Sequence, residues 1–212
     1  MAQPKYRIAT IGSHSGLQIF KGAHDEGFET IAVCKKGSEK PYKMFNVADE
    51  IISIDSYKDF PKIQNQLIKK NAIVIPHGSF VTYMGYGEVE KLKVMYYGNK
   101  KILKWESDRH LERQWLVNSG LKVPLLFKSP KDIDRLVIVK FMGAEGGRGY
   151  FLAKDEKDFN KKIKPYKLRK YVIQEYIIGV PLFIHYFYSS LTNEIEIMGC
   201  DIRYESNVDS LG

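Results

Sequence analysis

The sequence predicts an α/β chain of two domains: a parallel sheet covered by helices on both faces, then a smaller α+β domain with an antiparallel sheet. Three observations predict it. Apolar strands and amphipathic helices alternate through the first hundred residues, a cadence that builds parallel βαβ units. The texture changes after Trp105, where short strands follow one another across glycine-rich or polar turns. A lysine-bearing strand, Val137-Ile138-Val139-Lys140-Phe141, runs directly into a glycine-rich turn that leads to another strand rather than to a helix. The expected domains are therefore a Rossmann-like domain over residues 1–104 and an antiparallel domain over residues 105–212.

The elements follow in order. Tyr6 to Gly12 reads as a buried strand ended by glycine. In the next stretch Leu17, Ile19, Phe20 and Ala23 recur at helical spacing, with Gly27 as C-cap. Phe28 to Cys34 gives a second strand and the segment ending ADEIISIDS a third. A helix is expected over Lys58 to Lys70, and AIVIPHGS supplies a fourth strand. Ser107 to Ser119 reads as an amphipathic helix with Ser107 as N-cap and Gly120 as stop. Then come VPLLF, the Lys140 strand, YFLA, a lysine-rich helix, YVIQEYIIG and a hairpin, LFIHYFYSS–LTNE–IEIMGCDIRYES. The aromatic cluster Phe183, Tyr186, Phe187 and Tyr188 reads as core rather than as a stacking platform.

Composition bounds the function. The 212 residues are 44% hydrophobic and 27% charged, enough to build a packed core. No apolar run is long enough to span a bilayer, and MAQPKYRIATIG lacks a signal-peptide layout, so a cytoplasmic protein without a membrane partner is expected. Cys34 and Cys200 each follow an apolar run and read as buried thiols of a reducing compartment. The net charge of +8 is carried by short lysine pairs scattered along the chain, which favours nucleotide phosphates over nucleic acid as the anionic partner.

The chemistry concentrates in three places. Four glycines among residues 143–149 would let backbone N–H groups approach a polyphosphate, with Lys140 and Arg148 supplying charge. The turn is neither a Walker loop nor a dinucleotide fingerprint, because no helix opens after it. Glu145 adds a carboxylate, which repels a polyphosphate unless it points outward. At the strand ends of the first domain, His14 in IGSH and Ser79 in PHGSF place an imidazole and a hydroxyl over one crevice, with His77 as a supporting group. His24, His110 and His185 read as structural.

Lys140, the glycine hairpin, a helix and then Gln174-Glu175-Tyr176-Ile177 before Gly179 stand in the order of the ATP-grasp superfamily, which the chain resembles. More finely, GSHSGLQIFKGAHDEGF, IPHGSF, GNKKILKWES, IVKFMGAEGGRGYF, QEYIIG, IHYFYS and IRYESNVD resemble the archaeal formate-dependent synthetases that formylate 5-aminoimidazole-4-carboxamide ribonucleotide. The resemblance implies an ATP-dependent carbon–nitrogen ligase of purine (IMP) biosynthesis, acting through formyl phosphate. It implies ATP on Lys140, Gly146, Gly147, Arg148, Gly149, Gln174, Glu175, Tyr176, Ile177 and Glu205. The Glu175 carbonyl and Ile177 amide would meet adenine. It implies the ribonucleotide on His14, Ser79 and Asn207, with Mg²⁺ or Mn²⁺ as metal. The ligands of that metal are expected beyond residue 212, because the ending NVDSLG reads as that of a truncated domain. A homo-oligomer stays open. The alternatives are a related ligase for another acid and amine, or a nucleotide-binding regulator without catalysis.

Overall fold

The computed structural model describes residues 5–141, 149–166 and 169–202. Two compact units divide the chain, Met1–Leu121 and Lys122–Gly212.

The first unit is built on five parallel strands: β1 (Arg7–Ile11), β2 (Glu29–Lys35), β3 (Glu50–Ile54), β4 (Ala72–Val74) and β5 (Met95–Tyr96). Their spatial order is β3-β2-β1-β4-β5, so the chain switches sides between β1 and β4. Seven helices belong to the same unit: α1 (Gly16–Asp25), α2 (Lys40–Met44), α3 (Phe60–Lys69), α4 (Ser79–Met84), α5 (Tyr86–Glu90), α6 (Ile102–Ser107) and α7 (Arg109–Asn118). Strand β2 shows why its sequence is apolar at successive positions. Ile31 and Val33 pack with Phe60 and Leu67 of α3 and with Phe80 of α4 on one face, while Ala32 and Cys34 pack with Phe20 of α1 and Tyr42 of α2 on the other.

The expected strands and the helices of α1 and α3 are present, and Gly27 closes α1 at φ +76°. Three expectations are corrected. The cap of α7 is Asp108, whose carboxylate accepts from the His110 and Leu111 N–H groups, while Ser107 ends α6 and donates to the Lys104 carbonyl. A carboxylate one residue later out-competes the hydroxyl because it accepts two N–H groups at once. Cys200 is exposed, unlike Cys34. The residues Phe183, Tyr186, Phe187 and Tyr188 are exposed as well.

The second unit holds an antiparallel sheet of β6 (Leu126–Phe127), β7 (Val137–Phe141), β8 (Tyr150–Ala153) and β9 (Tyr171–Glu175), ordered β6-β9-β7-β8, with α8 (Glu156–Lys162) before β9. One face is core: Val137, Val139, Ala153 and Ile173 pack with Phe159 of α8, supported by Phe127 and Phe151. The strands β10 (Leu182–Ser189) and β11 (Glu194–Ile202) form a separate two-stranded sheet with a bulge after His185. Both of its faces are largely open, and this is why its aromatic residues are not core.

Candidate functional site

In an open parallel sheet, ligands gather at the carboxyl ends of the strands where the strand order reverses. Here that point lies between β1 and β4, and the loops leaving them carry His14 and His77. Gly12 is required at the first turn: a Cβ there would lie 2.5 Å from the Cys34 sulfur and 2.8 Å from Cε2 of Tyr42. The chain then bends so sharply that His14 adopts φ +38°, a left-handed conformation costing a residue with a Cβ roughly 1–2 kcal/mol. Strain of this kind at a loop tip is a marker of a functional position.

The exposed His14 ring lies 6.4 Å from the His77 ring, nearly parallel to it, and its Nδ1 is 2.8 Å from the Ser15 hydroxyl. His77 donates from Nε2 to the Ile11 carbonyl at 3.2 Å and accepts at Nδ1 from the Ser79 N–H at 3.4 Å. A carbonyl only accepts and a backbone N–H only donates, so the ring is the neutral tautomer with its proton on Nε2. Burial pushes the His77 pKa below the ordinary histidine value, an effect opposed by the bond to Ile11 and reinforced by His14. Beneath the loop, Ser13 and the Tyr83 hydroxyl share a 2.9 Å hydrogen bond, Tyr83 stacks on Tyr57 at 4.7 Å, and the Tyr57 hydroxyl donates to the Gly12 carbonyl. No side chain caps α1 at Ser15, so this loop leads into first-turn N–H groups that no side chain satisfies.

His77 therefore contacts both loops, the His14 ring by stacking and Ser79 through its backbone N–H. The tyrosine pair beneath the loop after β1 was not legible, because Tyr57 and Tyr83 are distant in sequence from Gly12 and from each other. Cys34, next to Gly12, is no nucleophile candidate: burial, then Glu39, pushes its thiol up to about 12.

The second unit carries the other expected cluster. Side chains alternate along β7, so Lys140 and Ile138 share the face opposite the core residues Val137, Val139 and Phe141. Across the ladder Ile138 stands opposite Gln174 and Lys140 opposite Val172 and Tyr150, which places Lys140 and Gln174 on one open, mostly apolar sheet face. Phe141 N–H donates to the Gly149 carbonyl, which ties the end of β7 to the residue before β8. The Glu175 carboxylate is already engaged, accepting from the Leu125 N–H at 3.1 Å and from Arg135 at 3.2 Å. Its side chain braces the start of β6 against β9. Tyr176 and Ile177 follow the strand and are exposed. The expected positions Gly146, Gly147, Arg148, Glu205 and Asn207, and also Glu145, lie outside the described residues.

A parallel sheet whose strand order reverses between β1 and β4, followed by an antiparallel sheet with a lysine on its open face, defines an α/β chain of ATP-grasp-like fold. Solved structures bear this out. An IMP biosynthesis protein PurP from Thermococcus kodakaraensis superimposes with TM-score 0.73 at 29% identity, over 93% of this chain and 59% of that one. N5-carboxyaminoimidazole synthetase from Staphylococcus aureus complexed with ADP superimposes with TM-score 0.75 at 20% identity, over 97% and 55%. The chain belongs to the family described as "Protein of unknown function (DUF1246)", which matches residues 8–127. Residues 152–212 match a second description, "Domain of unknown function (DUF1297)". Among curated proteins it is 53% identical, over 97% of its length, to the 5-formaminoimidazole-4-carboxamide-1-(beta)-D-ribofuranosyl 5'-monophosphate synthetase of Pyrococcus abyssi. The chain spans 62% of that relative's length.

Proposed function

We propose that this chain is part of an ATP- and formate-dependent ligase that formylates the 5-amino group of 5-aminoimidazole-4-carboxamide ribonucleotide in purine biosynthesis. The observation that carries the reading is the 53% identity to a named synthetase across 97% of the chain, which takes in both units. In the reaction, a formate oxygen takes the γ-phosphoryl group of ATP, giving formyl phosphate and ADP. The 5-amino nitrogen then attacks the formyl carbon, phosphate leaves with the C–O electron pair, and the nitrogen loses a proton.

The chain's own residues would contribute positioning and charge. In the first unit, His14 and Ser79 would hydrogen-bond the ribonucleotide over the β1–β4 crevice. In the second, the apolar open face of β7 and β9 suits an adenine ring, with Lys140 set to meet phosphate and the backbone after Glu175 to meet the adenine edge. Gly146, Gly147, Arg148 and Gly149 would cover the phosphates, Glu205 would reach the ribose and Asn207 the substrate. Among the described residues, no group of three or more His, Cys, Asp or Glu side chains could hold a metal ion; Mg²⁺ or Mn²⁺, when bound, would neutralise charge at the phosphates. No helix among the described residues is long and apolar enough to cross a membrane.

The test is product analysis on the protein carrying this sequence, supplied with ATP, formate and the ribonucleotide. Formylated ribonucleotide and equimolar ADP are expected. ADP release with other acids but none with formate would point to a related ligase for another pair, and no ADP with any acid to a regulator.

A further inference from the structure

We propose that His77 is a positioning residue, whose imidazole pins the loop after β1 to the loop after β4 so that His14 and Ser79 face one ligand. The inference rests on reading this crevice as the ribonucleotide site, and it adds a residue that neither touches the reacting atoms nor merely fills space.

Four contacts carry it. The Nε2–H of His77 reaches the Ile11 carbonyl at 3.2 Å, the last residue of β1 and three positions before His14. Its Nδ1 receives the Ser79 N–H at 3.4 Å, the first residue of α4. The buried Phe80 ring stands edge-on to the imidazole at 5.5 Å, which fixes the ring's plane. The His14 ring stacks over its other side at 6.4 Å. A single neutral ring thus ends one strand, starts one helix and backs the strained loop tip. Strands β1 and β4 pair from Arg7 to Ala9, and Ile75 extends the contact through the Ala9 carbonyl and the Thr10 hydroxyl. The imidazole adds the next link, from His77 to the Ile11 carbonyl, where regular strand pairing has ended. Losing this half-buried donor and acceptor together would loosen both loops.

The experiment compares His77→Phe and His77→Gln in the whole chain. Phenylalanine keeps the ring's volume and its contacts with Phe80 and His14 but makes neither hydrogen bond. Glutamine is a poorer fit for the packing, yet keeps a donor that reaches the Ile11 carbonyl. Calorimetric titration with the ribonucleotide should show affinity falling about tenfold in His77→Phe, the size of one or two neutral hydrogen bonds, and largely recovering in His77→Gln. A packing role predicts the opposite order, and that order would overturn the proposal. Two ligand-free readouts stand beside it. Nitrogen chemical shifts of the wild-type imidazole should report the Nε2–H tautomer, and the Ser79 amide should exchange faster in His77→Phe. An Nδ1–H tautomer, or unchanged exchange, would overturn the clamp. If the wild type shows the clamp by both readouts but binds no ribonucleotide, the clamp stands and the ribonucleotide reading falls.

Discussion

Strand β2 and the hairpin of β10 and β11 are both runs of apolar and aromatic residues, and they have opposite surroundings. Ile31, Ala32, Val33 and Cys34 are all fully buried, because α1 and α2 cover one face of β2 while α3 and α4 cover the other. In the hairpin, Tyr186 remains 61% exposed, Ile195 68% and Ile197 71%. A two-stranded ribbon is at best marginally stable by itself in water, and contiguous apolar patches on soluble proteins mark surfaces that meet something. The first unit closes its own core on both faces of the sheet. The hairpin is a surface of a different kind, and its apolar residues contribute little to the stability of the chain as described.

The comparison makes quantitative predictions. The largest effect belongs to the core: Phe60→Ala should cost about 3–5 kcal/mol in urea denaturation, whereas Ile197→Ala should change stability by less than about 0.5 kcal/mol. An equal loss in the two variants would mean that the hairpin is covered in solution. A smaller effect separates two glycines. Gly12→Ala forces a methyl against Cys34 and Tyr42 and should cost about 1–3 kcal/mol, lowering Tm by several degrees, while Gly179→Ala meets nothing within 4 Å and should leave Tm alone. The smallest effect is electrostatic. Burial works to raise the Glu50 pKa, but Arg7 at 2.8 Å and Lys70 at 3.0 Å outweigh it and hold the carboxyl below its ordinary value of 4.5. A depressed folded pKa stabilises above the unfolded value and ceases to do so as pH falls through the folded one. Glu50→Gln should therefore lose stability at pH 7 relative to wild type, and the two should converge in denaturation curves taken at pH 3.

Much of the first unit was legible because its strands carry their burial in sequence: successive apolar residues bounded by glycine fit a strand covered on both faces. The hairpin defeated the same logic. Phe183, Tyr186, Phe187 and Tyr188 signal that a surface is apolar, but hydropathy does not say whether a layer lies against it. Short elements such as α2, α4 and β5 escaped because one or two turns, or two residues, give no period to read. His14, Ser79 and Lys140 were legible as polar groups at strand ends, where local pattern and chemistry coincide. The His77 tautomer and the tyrosines under Gly12 depend on contacts 45 to 70 residues apart along the chain, which no local pattern encodes.

The loops after β1 and β4 of the first unit are the proposed ribonucleotide site. This assignment is tested most directly by calorimetric titration of 5-aminoimidazole-4-carboxamide ribonucleotide into three forms of the 212-residue chain: wild type, His14→Ala/Ser79→Ala and Lys140→Ala. The wild type is expected to bind, the double variant to bind at least about tenfold more weakly, and Lys140→Ala, whose lysine lies on the sheet of the other unit, to bind as the wild type does. Undiminished binding by the double variant, or a loss confined to Lys140→Ala, would contradict it.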